Sequence, residues 1–267
     1  MMEPQFLPID TLDAKRYSII FDYPRADFGI SLDRISILSD MGVDGISFAG
    51  RIQLQGIPIL GKGHSGIVLL ALLNNQRVAL KIKRSDSVRD TMVPEARLLK
   101  LANGVDVGPR LLEFHDDIIV MEYLSGFGIG EWILNIVSNA QQLKRVIRNI
   151  LKDCFRLDCL GLDHGELTNI YKHVIINNNT PTLIDFESSS LDRRVSNVTS
   201  ATQSMLINSA LASKIHTIYD SPKPSTLIPE LRIYKRNPSY ETFQRLLDVV
   251  MGGDASTTSE SEKQGQI

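Results

Sequence analysis

The sequence predicts an α+β protein with its strands first and its helices second. Three observations carry this. Between residues 57 and 123, short stretches rich in Val, Ile and Leu alternate with turn residues. From Gly126 onward, apolar residues recur at helical spacing. The change falls near Leu124. The expected architecture has two lobes: a five-stranded antiparallel sheet with one helix inserted after its third strand, then a reduced helical lobe.

Residues 1–50 read as an appendage. Ser31 can cap a short helix bearing Leu32, Ile35 and Leu38, and Gly42 stops it. Residues 46–48 and 52–54 alternate like short strands around Gly50. Such a piece can pack on the sheet that follows, or form a small winged-helix-like partner-binding element. In the first lobe, residues 51–124, strands are expected at 57–60, 67–72, 77–83, 110–115 and 118–123. Asn74-Asn75 and Asp116-Asp117 supply turns, and a helix at 94–103 runs from Pro94 to a stop at Gly104. In the second lobe, residues 125–251, the helix at 141–160 shows its stripe at Val146, Ile147, Ile150, Leu151, Cys154 and Phe155. A hairpin follows at 173–176 and 182–184, then helices at 198–219 and 240–251. Residues 252–267 are rich in Gly, Ser, Thr, Glu and Gln and read as a disordered tail.

Composition narrows the function classes. The chain has 267 residues, 43% of them hydrophobic, which suffices for a core. A net charge of −2 argues against whole-surface nucleic-acid binding and leaves only a local basic patch or a ribonucleoprotein partner. Cys154 and Cys159 match no metal or redox spacing and read as small apolar residues buried on a helix. No basic-then-apolar leader is visible, and the longest apolar run, 67–73, is too short to span a bilayer. The expected location is cytoplasmic, with no membrane partner.

Five short motifs fall in order. The first, Gly61-Lys62-Gly63-His64-Ser65-Gly66-Ile67-Val68, lies between two strands, whereas a dinucleotide fingerprint needs a strand and then a helix. Gly61, Gly63 and Gly66 would let backbone N–H groups approach phosphate oxygens. Val68 falls where an apolar side chain covers a purine. Alone, the same residues would equally suit a tight glycine hairpin. In Val78-Ala79-Leu80-Lys81, alternation puts Ala79 and Lys81 on one face, a small residue for a flat adenine beside a cation for phosphate. Glu95 edges the buried stripe of its helix and can orient Lys81 through an ion pair. As a first-turn carboxylate it also suits the helix N-terminus. Between the lobes, backbone groups of Glu122 and Leu124 can meet an adenine edge. In His164-Gly165-Glu166, Glu166 can accept the proton of an incoming hydroxyl, while His164 reads as a packing residue. In Asp185-Phe186-Glu187, Asp185 ends an apolar strand and is a hard oxygen ligand for Mg²⁺ on phosphates.

The set resembles the protein-kinase superfamily, within it the small atypical RIO-like kinases, and most of all a group of predicted archaeal serine/threonine protein kinases. Leu60 to Gly66, Ala79 to Asp86, Leu162 to Leu167, Ile184 to Ser188 and Asn197 to Ser200 carry the likeness, which covers about residues 57–221. It implies a bilobal kinase-like fold, ATP with Mg²⁺ or Mn²⁺, and transfer of the γ-phosphate to a serine or threonine. Glu166, Lys81 and Asp185 would be catalytic. Three departures stand out. Glu166 stands where such kinases carry aspartate, and Glu187 where they carry glycine. Tyr171 stands where they carry the asparagine that holds a second metal. Asn169 and His173 are the nearest replacements, and the sequence does not choose between them. No Ala-Pro-Glu follows Asp185.

The leading expectation is an atypical serine/threonine protein kinase acting on an unidentified protein or on itself. Its own acceptors would be Ser188, Ser189, Ser190, or Ser256, Thr257, Thr258 and Ser259. A small-molecule kinase also fits the missing Ala-Pro-Glu. A nucleotide-binding module or slow ATPase fits Glu166 and Tyr171.

Overall fold

The computed structural model describes residues 3–207 and 209–252. It divides into two compact units, one of Met1–Gly104 with Gly108–Ser125 and one of Val105–Val107 with Gly126–Ile267. Both combine antiparallel strands with helices, so the class is α+β.

The first unit opens with β1 (Leu7–Pro8), α1 (Ser18–Phe21), α2 (Phe28–Asp40) and β2 (Val43–Ser47), followed by the hairpin β3 (Ile52–Leu54) and β4 (Ile57–Ile59). Then come β5 (Gly61–Lys62), β6 (Gly66–Leu73), β7 (Gln76–Lys83), α3 (Val93–Asn103), β8 (Leu111–His115) and β9 (Ile118–Glu122). The sheet has seven strands rather than five, in the order β1-β2-β6-β7-β9-β8, with β5 pairing the start of β6. Two causes account for the difference. The first fifty residues are part of this sheet, because β2 pairs β6 from Val43 opposite Leu73 to Ser47 opposite Leu70. The expected strand at 57–60 divides: β4 pairs β3, and the chain reaches the main sheet at Leu60, whose N–H donates to the Val68 carbonyl. Asn74 and Asn75 both take positive φ, as a two-residue primed turn between β6 and β7 requires.

The sheet is covered on both faces. Val78, Leu80, Ile82, Ile118 and Val120 share one core with Ile20, Phe21, Ile35 and Leu38 of the first fifty residues. Ile119, on the opposite parity, packs with Met92 and Ala96 at the start of α3. Helix α2 begins four residues earlier than expected. Asp27, not Ser31, is its cap, with a carboxylate that accepts from the Ile30 N–H. Ser31 is buried and donates its hydroxyl to the Asp27 carbonyl at 2.6 Å.

The second unit contains β10 (Phe127–Gly128), α4 (Ile129–Asn135), α5 (Ala140–Leu160), β11 (Val174–Asn177), β12 (Thr180–Leu183), α6 (Asn197–Leu206), α7 (Ala210–Ile218), α8 (Pro224–Arg236) and α9 (Tyr240–Met251). Asn139 caps α5, and Gly161 ends it at φ 77°. Phe155 of α5 stacks on Phe243 of α9 with ring centroids 4.3 Å apart. Cys154 is buried, but Cys159 is exposed, since an offset of five turns it off the buried stripe. The expected helix at 198–219 breaks in two, and Ser209 caps the second piece by accepting from the Ala212 N–H. Helix α8 has no counterpart in the sequence reading, because Pro229 in its interior argues against a helix there. Gly252 closes α9 with φ 80°, and the rest of the expected disordered tail, with the four expected acceptors Ser256, Thr257, Thr258 and Ser259, lies outside the described residues. Among the described residues, no helix is long and apolar enough to cross a membrane.

Candidate functional site

In the first unit, strand β7 places Lys81 opposite Val68 of β6, and α3 brings Glu95 to it from its first turn. Lys81 Nζ donates to Glu95 Oε1 at 2.7 Å, with both residues about 95% buried. Ala79 is buried on the same face. Of the three loop glycines, Gly66 is the one that sterics demand. A Cβ there would lie 2.9 Å from Lys81 Cγ and 3.1 Å from the Ile82 carbonyl oxygen. Gly61 and Gly63 would meet only ordinary contacts. The absent side chain of Gly66 therefore gives Lys81 its path across the sheet.

Three side chains to which the sequence reading gave no role, Tyr23, Lys62 and Arg84, brace this loop. The Gly63 N–H donates to the Gly66 carbonyl, and Arg84 Nη1 donates to the Gly63 carbonyl at 2.9 Å. Tyr23 receives a hydrogen bond from Lys62 Nζ at 2.7 Å and lies under the Arg84 guanidinium, 5.0 Å from the ring centroid. Tyr23 belongs to the first fifty residues, so that segment touches the glycine loop as well as the sheet. A Tyr–Pro pair carries no motif that would single it out, and Arg84, although it falls within the stretch Ala79 to Asp86, has no signal that points to the glycine loop.

Glu122 is exposed at the end of β9, and its N–H donates to the Arg110 carbonyl at 2.8 Å. That donor belongs to the sheet, which leaves the carbonyl for the role expected of Glu122. Leu124 lies past β9 and is half-buried, and its N–H has no hydrogen-bond acceptor among the described residues.

In the second unit, the segment before β11 and the segment after β12 bring Glu166, His173 and Asp185 together. One ligand atom from each lies within 4.8 Å of the others. His173 Nε2 is 2.9 Å from Glu166 Oε2, and its Nδ1 is 4.0 Å from Asp185 Oδ2. Glu166 Oε1 accepts from the Ser188 hydroxyl at 2.5 Å. Asp185 itself takes φ 70°, ψ 76°, a left-handed conformation that costs a non-glycine residue about 1–2 kcal/mol. Asn169 is exposed on a 3₁₀ turn, and its carboxamide makes no hydrogen bond among the described residues. Of Asn169 and His173, His173 is the one that sits beside Asp185.

The loop carrying Glu166 is held from below. Asn197 Oδ1 accepts from the His164 N–H, while its Nδ2 donates to the Leu162 carbonyl at 2.7 Å and to Asp158 Oδ1 at 2.8 Å. Tyr234 donates to Asp158 Oδ2 at 2.8 Å. Burial raises the Asp158 pKa, and burial also pushes the Tyr234 hydroxyl far above its usual range. Asp163 accepts from Arg193 Nε at 3.0 Å and from the Ser196 N–H at 3.0 Å. Gly165 has φ 89°, and a Cβ there would lie 2.6 Å from the Ser188 carbonyl oxygen, so the sequence between His164 and Glu166 requires glycine. His164 is fully buried against Phe186, and burial, with the neighbouring His173, lowers its pKa to about 4. It is a neutral packing residue whose Nε2 faces the Ile184 carbonyl at 3.1 Å.

No protein-family model and no curated protein matches this sequence.

Proposed function

We propose that this chain is an atypical, bilobal kinase-like phosphotransferase that uses ATP and a divalent cation to phosphorylate a serine or threonine hydroxyl of a protein. The observation that carries this reading is the buried Lys81–Glu95 pair beside Gly66. Burying an ion pair stabilises a fold weakly or not at all, and well-packed apolar residues of similar volume do as well or better. A lysine held in one orientation by a carboxylate, below a glycine-rich turn, suits a phosphate anion. In this reading Lys81 binds the α- and β-phosphates, Ala79 and Val68 enclose the adenine, and Glu122 and Leu124 offer it backbone groups.

The donor set of the second unit fits a divalent cation. Asp185 offers carboxylate oxygens, and His173 Nδ1 is a buried ring nitrogen without a hydrogen-bond partner. A bound cation would neutralise phosphate charge. Glu166 Oε1 already accepts a hydrogen bond from the Ser188 hydroxyl, which is the contact that a base makes with an acceptor alcohol. In transfer, the acceptor oxygen bonds to the γ-phosphorus, the bond from that phosphorus to the bridging oxygen breaks, ADP departs with the electron pair, and the proton goes to Glu166.

One observation favours a second reading, a nucleotide-binding module or slow ATPase. Both Glu166 oxygens have partners within the chain, Ser188 and His173. The test is incubation with γ-labelled ATP and Mg²⁺ or Mn²⁺, alone and with cell extract. Label on protein, lost in Lys81→Met and in Asp185→Asn, is expected. Release of free phosphate alone would select the ATPase, label on a small molecule the other acceptor class, and no nucleotide binding would end the reading.

A further inference from the structure

We infer that the cation site of this chain has a nitrogen ligand, and that it selects a first-row transition-metal dication over Mg²⁺. The ligands are His173 Nδ1 and the Asp185 carboxylate, and Glu166 holds the histidine in the ligating orientation. The inference deepens the phosphotransferase reading by naming the metal, and it rests on geometry in the second unit alone.

Three observations carry it. First, a carboxylate only accepts, so the 2.9 Å contact between His173 Nε2 and Glu166 Oε2 fixes the ring proton on Nε2. In the neutral ring, the lone pair then lies on Nδ1. Second, that Nδ1 is buried without a hydrogen-bond partner, on a residue 4% exposed. An unsatisfied buried nitrogen costs about 1–3 kcal/mol, and a ligated one does not. Third, Nδ1 faces Asp185 Oδ2 at 4.0 Å, too far for a hydrogen bond. One cation with bonds of about 2.1 Å to each atom spans pairs from roughly 3.0 to 4.2 Å apart.

A carboxylate, a histidine and a metal in line is a recurrent way of fixing the imidazole tautomer and raising its basicity. Imidazole nitrogen suits transition metals, whereas Mg²⁺ prefers oxygen and water. The inference also joins two departures from the kinase pattern. Glutamate at 166 reaches His173 with one oxygen while the other meets Ser188. The longer acid thus comes with a histidine in place of the asparagine.

The test is metal binding by the full chain without nucleotide, using Mg²⁺, Mn²⁺ and Co²⁺ in turn, read by calorimetry. Co²⁺ should bind at least about tenfold more tightly than Mg²⁺. His173→Asn should remove most of that preference while keeping Mg²⁺ binding. Glu166→Ala should weaken Co²⁺ about 10- to 100-fold. Pulsed electron paramagnetic resonance of bound Mn²⁺ in the unaltered chain should show coupling to one ¹⁴N nucleus, a result that needs no variant to fold. Equal affinities for the three ions, or a Mn²⁺ spectrum with oxygen ligands only, would overturn the inference. Nitrogen-ligated Mn²⁺ in a chain that transfers no label would keep this site and end the phosphotransferase reading. Label transfer with an all-oxygen site would do the reverse.

Discussion

Two buried cations in the first unit lie on different kinds of ground. Arg34 of α2 donates to the Phe21 carbonyl and, at 2.6 Å, to Asp117 in the turn between β8 and β9, and it lies 3.8 Å from the fully buried Asp22. Asp117 also meets Lys83 at 3.2 Å. Arg34 therefore ties together segments that are far apart in sequence. Lys81 meets Glu95 of α3 at 2.7 Å, but α3 is already fixed to the sheet by Met92, Ala96 and Ile119. The first cation joins distant segments, and the second joins two elements that packing also holds together. Burial alone does not tell the two charges apart; the segments that each one joins do.

The largest effect is expected at Arg34. Arg34→Ala leaves Asp22 without its cation and should cost about 3–5 kcal/mol, read as a lower urea midpoint at unchanged slope. ATP affinity of the folded variant should stay within about twofold. An unchanged midpoint would make Arg34 no clamp at all.

Lys81 sharpens the contrast from the other side. Replacing the pair together, Lys81→Met with Glu95→Leu, should leave stability within about 1 kcal/mol or raise it, because neither member of the pair is left buried without the other. Label transfer should fall about 100- to 1,000-fold. A double variant that loses several kcal/mol would place this pair in the same class as Arg34.

His164 extends the question to a group buried neutral. Its pKa is lowered from 6.5 to about 4, so between those values the unfolded chain takes up a proton that the folded chain refuses. Its contribution to stability is whole above pH 6.5 and is lost as the pH falls toward 4. The loss amounts to about 3 kcal/mol by the end of that window. His164→Gln, which can still donate to the Ile184 carbonyl, should flatten that part of the stability profile. Parallel profiles for the two proteins would show that His164 is not buried neutral.

Much of this was legible in the sequence, and the gaps have physical causes. Alternation in residues 77–83 and 118–123, the Asn74-Asn75 turn and the stripe of the helix at 141–160 are local signals, and each marks an element that is present. The Lys81–Glu95 contact was legible because strand parity and helix spacing each orient one partner. The place of the first fifty residues was not, since the pairing of β2 with β6 spans about twenty-five residues and leaves no local mark. Pro229 hid α8, because its effect on propensity is local while the burial of Leu227, Leu231 and Tyr234 is tertiary. The contact between Glu166 and His173 was equally hidden, and the sequence could not choose between Asn169 and His173. That choice depends on a 3₁₀ turn that exposes one and buries the other.

The smallest expected effect falls on Glu166 and decides whether its extra length is fitted or accidental. Aspartate at this position would withdraw the carboxylate by about 1 Å, a displacement that can cost around a hundredfold when geometry matters. Here the carboxylate has two tethers, the Ser188 hydroxyl at 2.5 Å and His173 Nε2 at 2.9 Å, and a shorter acid cannot keep both without a shift of the loop. Gly165 resists that shift, because it already lies against the Ser188 carbonyl. Glu166→Asp should therefore slow label transfer about 10- to 100-fold and leave ATP affinity nearly unchanged, since the proposed function puts Glu166 at the acceptor and not at the nucleotide. Glu166→Gln should slow it at least as much, because the amide keeps the shape but cannot take the proton. A faster enzyme with aspartate, together with little effect of glutamine, would mark 166 as a decayed position and move the balance to the nucleotide-binding module.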